Sequence, residues 1–181
     1  MQRFSDIALI AQVVTLGSER AFGQLVRNHQ ETVRRFLRRL TAGDAMRADD
    51  LSQETFIRAW QGLSSFRQMS GFETWLLRIA YRVFLDDERK ENAHPSESLP
   101  EGEWAGAARF HDGSALRHDL DQALATLAEN ERTCVVLQCV EGYSIKDIAT
   151  VMEMPENTVK SHLLRGKKNL ANYLRRNGYE G

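Results

Sequence analysis

Proline is scarce in this chain, three residues in 181, and two of the three, Pro95 and Pro100, fall within one short stretch. Long uninterrupted helices are therefore permitted on either side of it, because an interior proline would break them. Cysteine is scarcer still. Cys134 and Cys139 stand five apart, on different sides of a helix, and read as buried thiols in a reducing cytoplasm rather than as a metal site or a disulfide. The five histidines, at positions 29, 94, 111, 118 and 162, show no ligand spacing, so no metal and no other cofactor is expected. Long apolar runs are missing as well. The longest, Ile7 to Leu16, is broken by Gln12 and Thr15 and falls short of the roughly 20 residues that span a bilayer. No basic leader precedes it, so neither membrane insertion nor a signal peptide is expected.

What is present is ordinary globular composition, 42% apolar and 27% charged, in a length that holds one domain or two small ones but no large barrel enzyme. The net charge of −1 conceals an uneven distribution. Residues 1–90 carry 14 Lys/Arg against 11 Asp/Glu, residues 91–118 carry 2 against 5, and residues 119–181 carry 8 against 9. Within the last block no acid occurs from Asn157 to Tyr179, where Lys160, Arg165, Lys167, Lys168, Arg175 and Arg176 form a basic stripe suited to a polyanion. The acidic middle segment also holds Pro95, Pro100, Gly102, Gly106 and Gly113, the composition of a flexible linker between two helical blocks.

In the first block Ser18 is placed as an N-cap. Phe22, Leu25, Val26, Val33, Phe36, Leu37 and Leu40 then recur within an arc of about 120° at the helical increment, an amphipathic helix with Arg27, Arg34, Arg35, Arg38 and Arg39 outside. That basic face suits solvent as well as nucleic acid. A second helix is expected to start near Asp49 and Asp50 and to run past Trp60, acids being favourable at the positive end of the helix dipole. After a loop at residues 64–71, a third helix buries Phe72, Trp75, Leu76, Ile79, Ala80 and Val83 and carries Arg78, Arg82 and Arg89 in a stripe. Arginines beside Trp75, next to a loop with Phe66, Arg67, Gln68 and Met69, offer cations for phosphates and flat side chains for unstacked bases. The same aromatics also suit a core.

In the last block Asp119–Leu127 and Glu131–Val140 read as helices, the second stopped by Gly142. Ser144 caps the next, with Asp147 at the capping-box position and Ile145, Ile148, Ala149 and Met152 inward. A turn at Glu153, Met154 and Pro155 leads into Glu156–Leu170, with small Ala149 at the crossing. This is a helix-turn-helix layout, whose second helix presents Asn157, Lys160, Ser161, His162 and Arg165, residue types that reach base edges in the major groove.

These stretches carry a resemblance. Asp50-Leu51-Ser52-Gln53-Glu54-Thr55-Phe56, Phe66-Arg67, Thr74-Trp75-Leu76-Leu77-Arg78-Ile79-Ala80, Gly142-Tyr143-Ser144-Ile145-Lys146-Asp147-Ile148-Ala149 and Thr158-Val159-Lys160-Ser161, in this order from about residue 18 to 174, resemble the extracytoplasmic-function group of bacterial sigma factors. The resemblance implies an all-helical protein with a sigma-2-like domain at 1–90, a linker at 91–118 and a sigma-4-like helix-turn-helix domain at 119–181. It implies core RNA polymerase as a partner, with Asp50, Gln53 and Glu54 on the clamp helices of the beta-prime subunit and further contact with the beta subunit. The loop Phe66, Arg67, Gln68, Met69, Ser70 and Gly71 would hold a base flipped from the −10 promoter element, and Trp75, Arg78 and Arg82 would border the melted strand. Lys160, Ser161 and Arg165 would read the −35 element, with Asn157 and Lys168 on the same surface. The linker would thread toward the RNA exit path, and an anti-sigma factor is implied as regulator.

Four residues depart from the family's pattern: Arg82 stands where asparagine is usual, Ala128 where a proline opens a helix, Glu153 at the turn glycine and Asn157 at a recognition-helix glycine. If the turn requires positive φ, Glu153 carries a strain of about 1 kcal/mol. Two other readings remain at this point. Asp49, Asp50 and Glu54, or Asp86, Asp87 and Glu88 with a histidine, suit the magnesium site of a nuclease, though without a converging partner. A helix-turn-helix repressor or activator would need the DNA surface but not the Asp50, Gln53, Glu54 surface.

Overall fold

The computed structural model describes residues 2–67, 69–93 and 114–178, with the side chains of 2–5 and 114–119 left aside. Among the described residues the regular structure is helical throughout. The apolar run Ile7 to Leu16 lies in α1 (Gln2–Leu16), which buries Ile10 and Val13 against α2 and leaves Ile7, Val14 and Leu16 outside.

α2 (Glu19–Leu40) starts where expected, with Ser18 Oγ accepting the Ala21 N–H at 3.2 Å. Its inner face, Leu25, Val33, Phe36, Leu37 and Leu40, is almost wholly removed from solvent. α3 (Ala45–Gly62) begins earlier than the acids at 49 and 50 suggested. Asp44 is its cap, accepting the Arg47 N–H at 3.0 Å, so a capping side chain outranks a dipole-favoured acid in setting the start. After a short 3₁₀ turn and the loop to Gly71 comes α4 (Phe72–Ala93).

α5 (Ser114–Ala125) follows, so helix extends into both ends of the segment assigned to a linker. Its remainder, residues 94–113, lies outside the described residues. α6 (Glu129–Val135) opens at Ala128 without a side-chain cap and widens into a π turn over Val136–Val140, where the Glu141 N–H reaches the Val136 carbonyl at 3.0 Å. Gly142, at φ 77°, then turns the chain. α7 (Ile145–Met152) is capped by Ser144, which accepts the Asp147 N–H at 3.2 Å and donates to its carboxylate at 2.6 Å. α8 (Glu156–Arg176) runs past the expected Leu170. Gly166 lies at its crossing with α6, where a Cβ would stand 2.8 Å from Val135 Cγ2 and 3.2 Å from the Glu131 carbonyl. That crossing admits no side chain, a constraint the sequence pattern did not reveal.

The first four helices and the last four dock on each other, α4 against α7, and their buried side chains form one continuous cluster. Polar contacts cross the junction. Arg35 holds Glu141 in a bidentate pair at 2.6–3.2 Å, Tyr81 donates to Asn130 at 3.0 Å, and Arg132 donates to the Leu40 carbonyl at 2.7 Å. Tyr143 also donates to Glu73, and Arg39 pairs with Asp121. Much of the basic face of α2 is therefore committed within the molecule, since Arg34 also donates to Asp49 at 2.9 Å. The cysteines divide. Cys134 is buried, its thiol pushed up to about 12 by burial and then by the charge of Glu131, whereas Cys139 is exposed and corrects the expectation of two buried thiols.

Candidate functional site

α3 turns Ala48, Leu51, Thr55 and Ala59 into the core, and this fixes which residues face outward. Asp50 and Gln53 are exposed. Glu54 is half-exposed and accepts from Arg58 at 2.7 Å, while Arg58 also donates to Asp86 on α4 at 2.6 Å. Met46 (81% exposed) and Ile57 (53%) lie on the same face, three turns apart, with Asp50 between them. The sequence reading missed these two. An acidic and amide surface flanked by uncovered apolar side chains has the make-up of a protein-docking patch.

The second surface lies where the loop before α4 meets that helix. Phe66, Phe72 and Trp75 pack mutually with ring centroids 5.4–5.7 Å apart. Phe72 and Trp75 are buried at 5% and 6% exposure, so the reading of these aromatics as core holds for most of their area. What they leave open is a cavity of about 160 Å³ lined by Asp6, Ile7, Phe66, Met69, Ser70, Gly71 and Phe72. Cavities on the order of 150 Å³ accept a single aromatic ring, and a polar and apolar lining suits a base. Met69 is exposed at its rim and Arg67 is exposed next to Phe66; Gln68 lies outside the described residues. On the other side of Trp75 a depression of about 250 Å³ is lined by Arg58, Gly62, Ser65, Trp75, Arg78, Ile79 and Arg82. Its cations are not free, because Arg82 donates to Glu153 at 2.6 and 2.8 Å. Arg89, expected in the same stripe, pairs with Asp86 at 2.9 Å.

Behind the loop is a buried polar group that sequence reasoning did not find. His29, on the core face of α2, bonds Asp6 of α1 at 3.1 Å and stands 3.4 Å from Glu73 of α4, with Phe72 edge-on at 5.2 Å. Burial opposes its charge, but the bond with Glu73 and the charge and bond of Asp6 prevail and raise its pKa above the ordinary value. Glu73 is held below the usual carboxylate range by His29, against the cost of burial, and further by Tyr143. The wall of the loop cavity is thus tied to the junction with α7.

The third surface is α8. Val159, Leu163 and Gly166 face inward, and Asn157, Lys160, Ser161 and Lys168 are exposed as expected. Leu164, 74% exposed, falls at the centre of that arc, a position the sequence analysis does not single out. Arg165 sits to one side. It lies 3.3 Å from Glu131 of α6 and 3.1 Å from His162 Nδ1, which holds it off the centre of the outward face. Glu153 takes a left-handed backbone, φ 53° and ψ 43°, in the turn that sets α8 against α7, so the condition for strain at that position is met.

Of the acids in the two sets that suit a magnesium site, Asp49 pairs with Arg34, Glu54 and Asp86 with Arg58, and Asp87 and Glu88 with Arg47 at 2.6 Å, while Asp50 is exposed. No helix among the described residues is long and apolar enough to cross a membrane.

The model of Sigma-70 region 2 matches residues 25–94 and that of Sigma-70 region 4 matches residues 117–170, so the three surfaces fall within or beside two regions in their expected order. The chain is 35% identical to the ECF RNA polymerase sigma factor SigE of Mycolicibacterium smegmatis, over 88% of this chain and 64% of that protein. To SigM of Mycobacterium tuberculosis it is also 35% identical, over 94% of this chain and 85% of that one. Among solved structures, that of CnrH in complex with the cytosolic domain of CnrY superposes with a TM-score of 0.71 at 26% identity, covering 95% of this chain and 98% of the other. RpoE in complex with the anti-sigma factor NepR from Bartonella quintana gives 0.71 at 25%, covering 85% and 96%. Likeness of this extent to SigM, with both regions matched in sequence, shows that this chain belongs to the ECF group of the sigma-70 family.

Proposed function

We propose that this chain joins core RNA polymerase and directs it to promoters. Region 2 captures the −10 strand and region 4 reads the −35 element. The observation that carries this reading is the α3 patch. Asp50, Gln53, Met46 and Ile57 form an exposed, mixed surface that a free-standing repressor has no use for, on the helix whose residues resemble the polymerase-binding stretch of the family. Asp50, Gln53 and Glu54 supply its polar middle against the beta-prime clamp helices, and Met46 and Ile57 the apolar contacts at its two ends.

On the −10 side, Phe66, Met69 and Ser70 line the base-sized cavity, Arg67 is exposed next to Phe66, and Trp75, Arg78 and Arg82 line the neighbouring depression that tracks the strand. On the −35 side, Lys160, Ser161, Asn157 and Leu164 face the groove, Lys168 a phosphate, and Arg165 flanks them. The role is one of binding rather than catalysis, and it belongs in the cytoplasm, where polymerase and promoters are. CnrH and RpoE are each solved with a protein bound, and an anti-sigma factor is a fitting regulator for this chain also.

Alanine at Asp50, Gln53 and Glu54 together tests the patch in a pull-down with core polymerase. Core binding falls while helical content and binding of duplex DNA by region 4 persist; undiminished core binding would remove the assignment.

A further inference from the structure

α1 lies ahead of the residues that match region 2, yet through Asp6 and Ile7 it supplies one wall of the base-sized cavity. Asp6 is an unusual residue for a wall. It is only 4% exposed, and a carboxylate is almost never so deeply buried unless it is paired. One of its oxygens is. A carboxylate only accepts, so His29 Nε2 donates to Oδ2, at 3.1 Å. Oδ1 is buried with no hydrogen-bond partner among the described residues. Such an acceptor carries a desolvation cost that nothing in the free chain offsets, and a donor arriving with a ligand removes it.

We propose that Asp6 makes this cavity selective for cytosine over thymine, its unpaired carboxylate oxygen accepting from the exocyclic amine of a base turned out of the −10 strand. This rests on the −10 reading of the cavity and deepens it by naming the base and the residue that selects it. Three observations carry it. The first is the chemistry of the wall. Cytosine presents its N4 amine where thymine presents the O4 acceptor, so the same oxygen attracts one base and repels the other. Ser70 brings the other hydrogen-bonding side chain of the lining, and its hydroxyl both donates and accepts, so it does not discriminate between the two.

The second observation is size. A volume of about 160 Å³ takes one six-membered ring, which favours a pyrimidine over the larger adenine, although adenine also carries an amine. Ile7, 41% exposed, and the rings of Phe66 and Phe72 offer apolar surface to that ring. The third is the support behind the wall. His29, 2% exposed, holds Asp6 and also lies edge-on to Phe72 with centroids 5.2 Å apart. One buried side chain thus fixes both the acceptor and an aromatic part of the lining, which lowers the cost of ordering them around a base.

The test reads anisotropy of short fluorescein-labelled oligo(dT) strands whose central base is dT, dC or 2-pyrimidinone, the cytosine analogue that lacks the N4 amine. The unaltered full chain binds the dC strand about tenfold tighter than the other two, as expected for one hydrogen bond to a charged acceptor. Asp6→Asn keeps the shape of the side chain but presents a donor as readily as an acceptor, and it binds the three strands alike. Ser70→Ala leaves the preference intact. Equal affinity of the unaltered chain for dC and the analogue would overturn the assignment. So would a dC preference retained by Asp6→Asn with its helical content unchanged, or a preference lost in Ser70→Ala. Where Asp6→Asn loses helical content, the analogue and Ser70→Ala decide, since both leave α1 untouched. Initiation with core polymerase, read on the same proteins, separates the two readings. A chain that adds no initiation loses the sigma-factor reading and keeps its base preference, whereas initiation without a base preference removes only the role of Asp6.

Discussion

At the level of single side chains, the proposed reading of the −35 element rests on the outward arc of α8, and Leu164 stands at its centre. An apolar side chain there suits a thymine methyl, whereas Arg165, drawn toward Glu131 and His162, is a flanking contact. Leu164→Ala should relax selection at one −35 position, at a cost of about 1 kcal/mol, and Lys168→Ala should weaken all sequences alike and lower the salt slope by about one unit. Binding of both variants to a −35 library at several salt concentrations separates the two effects. His29 makes a different statement. Its pKa is raised in the fold, so the stability it confers is complete below its ordinary value of about 6.5 and is lost as pH rises through the folded value. Glu73, held low, confers stability above the ordinary carboxylate range that is lost as pH falls through its folded value. Melting temperature followed from pH 6 to 9 should fall, and the slope should flatten in His29→Gln.

At the level of helices, local chemistry was legible in the sequence wherever one residue sufficed to set a boundary. Ser18 and Ser144 cap α2 and α7 as expected, and Gly142 ends the helix before α7. Legibility failed where two signals competed, as when Asp44 started α3 ahead of the more conspicuous Asp49 and Asp50. It failed also where the pattern lacked a clear period: α1 buries only Ile10 and Val13 from its apolar run and leaves Ile7, Val14 and Leu16 out. The cap of α7 carries a consequence for function, since that helix supports the turn that aims α8. Ser144→Ala should cost about 1 kcal/mol. Urea unfolding followed by helical signal reads this loss, and affinity for −35 duplex falls with it.

Across the whole molecule, the order of motifs pointed to two regions and their DNA and polymerase surfaces, but not to the way those regions meet. The contacts that join them are long-range in sequence: Arg35 and Glu141 are 106 residues apart, and Arg82 and Glu153 71. No periodicity records such pairings, because each partner taken alone reads as a solvated charge. The same holds for Met46 and Ile57, whose exposure becomes visible only when α3 has chosen its buried face. The claim on which everything else depends is that these surfaces serve polymerase. Initiation from a random promoter pool with core polymerase, with and without the chain, tests it most directly. Starts that require the chain and lie downstream of two shared motifs at fixed spacing are expected. A chain that binds the pool's DNA yet adds no initiation to that of core polymerase alone would contradict it.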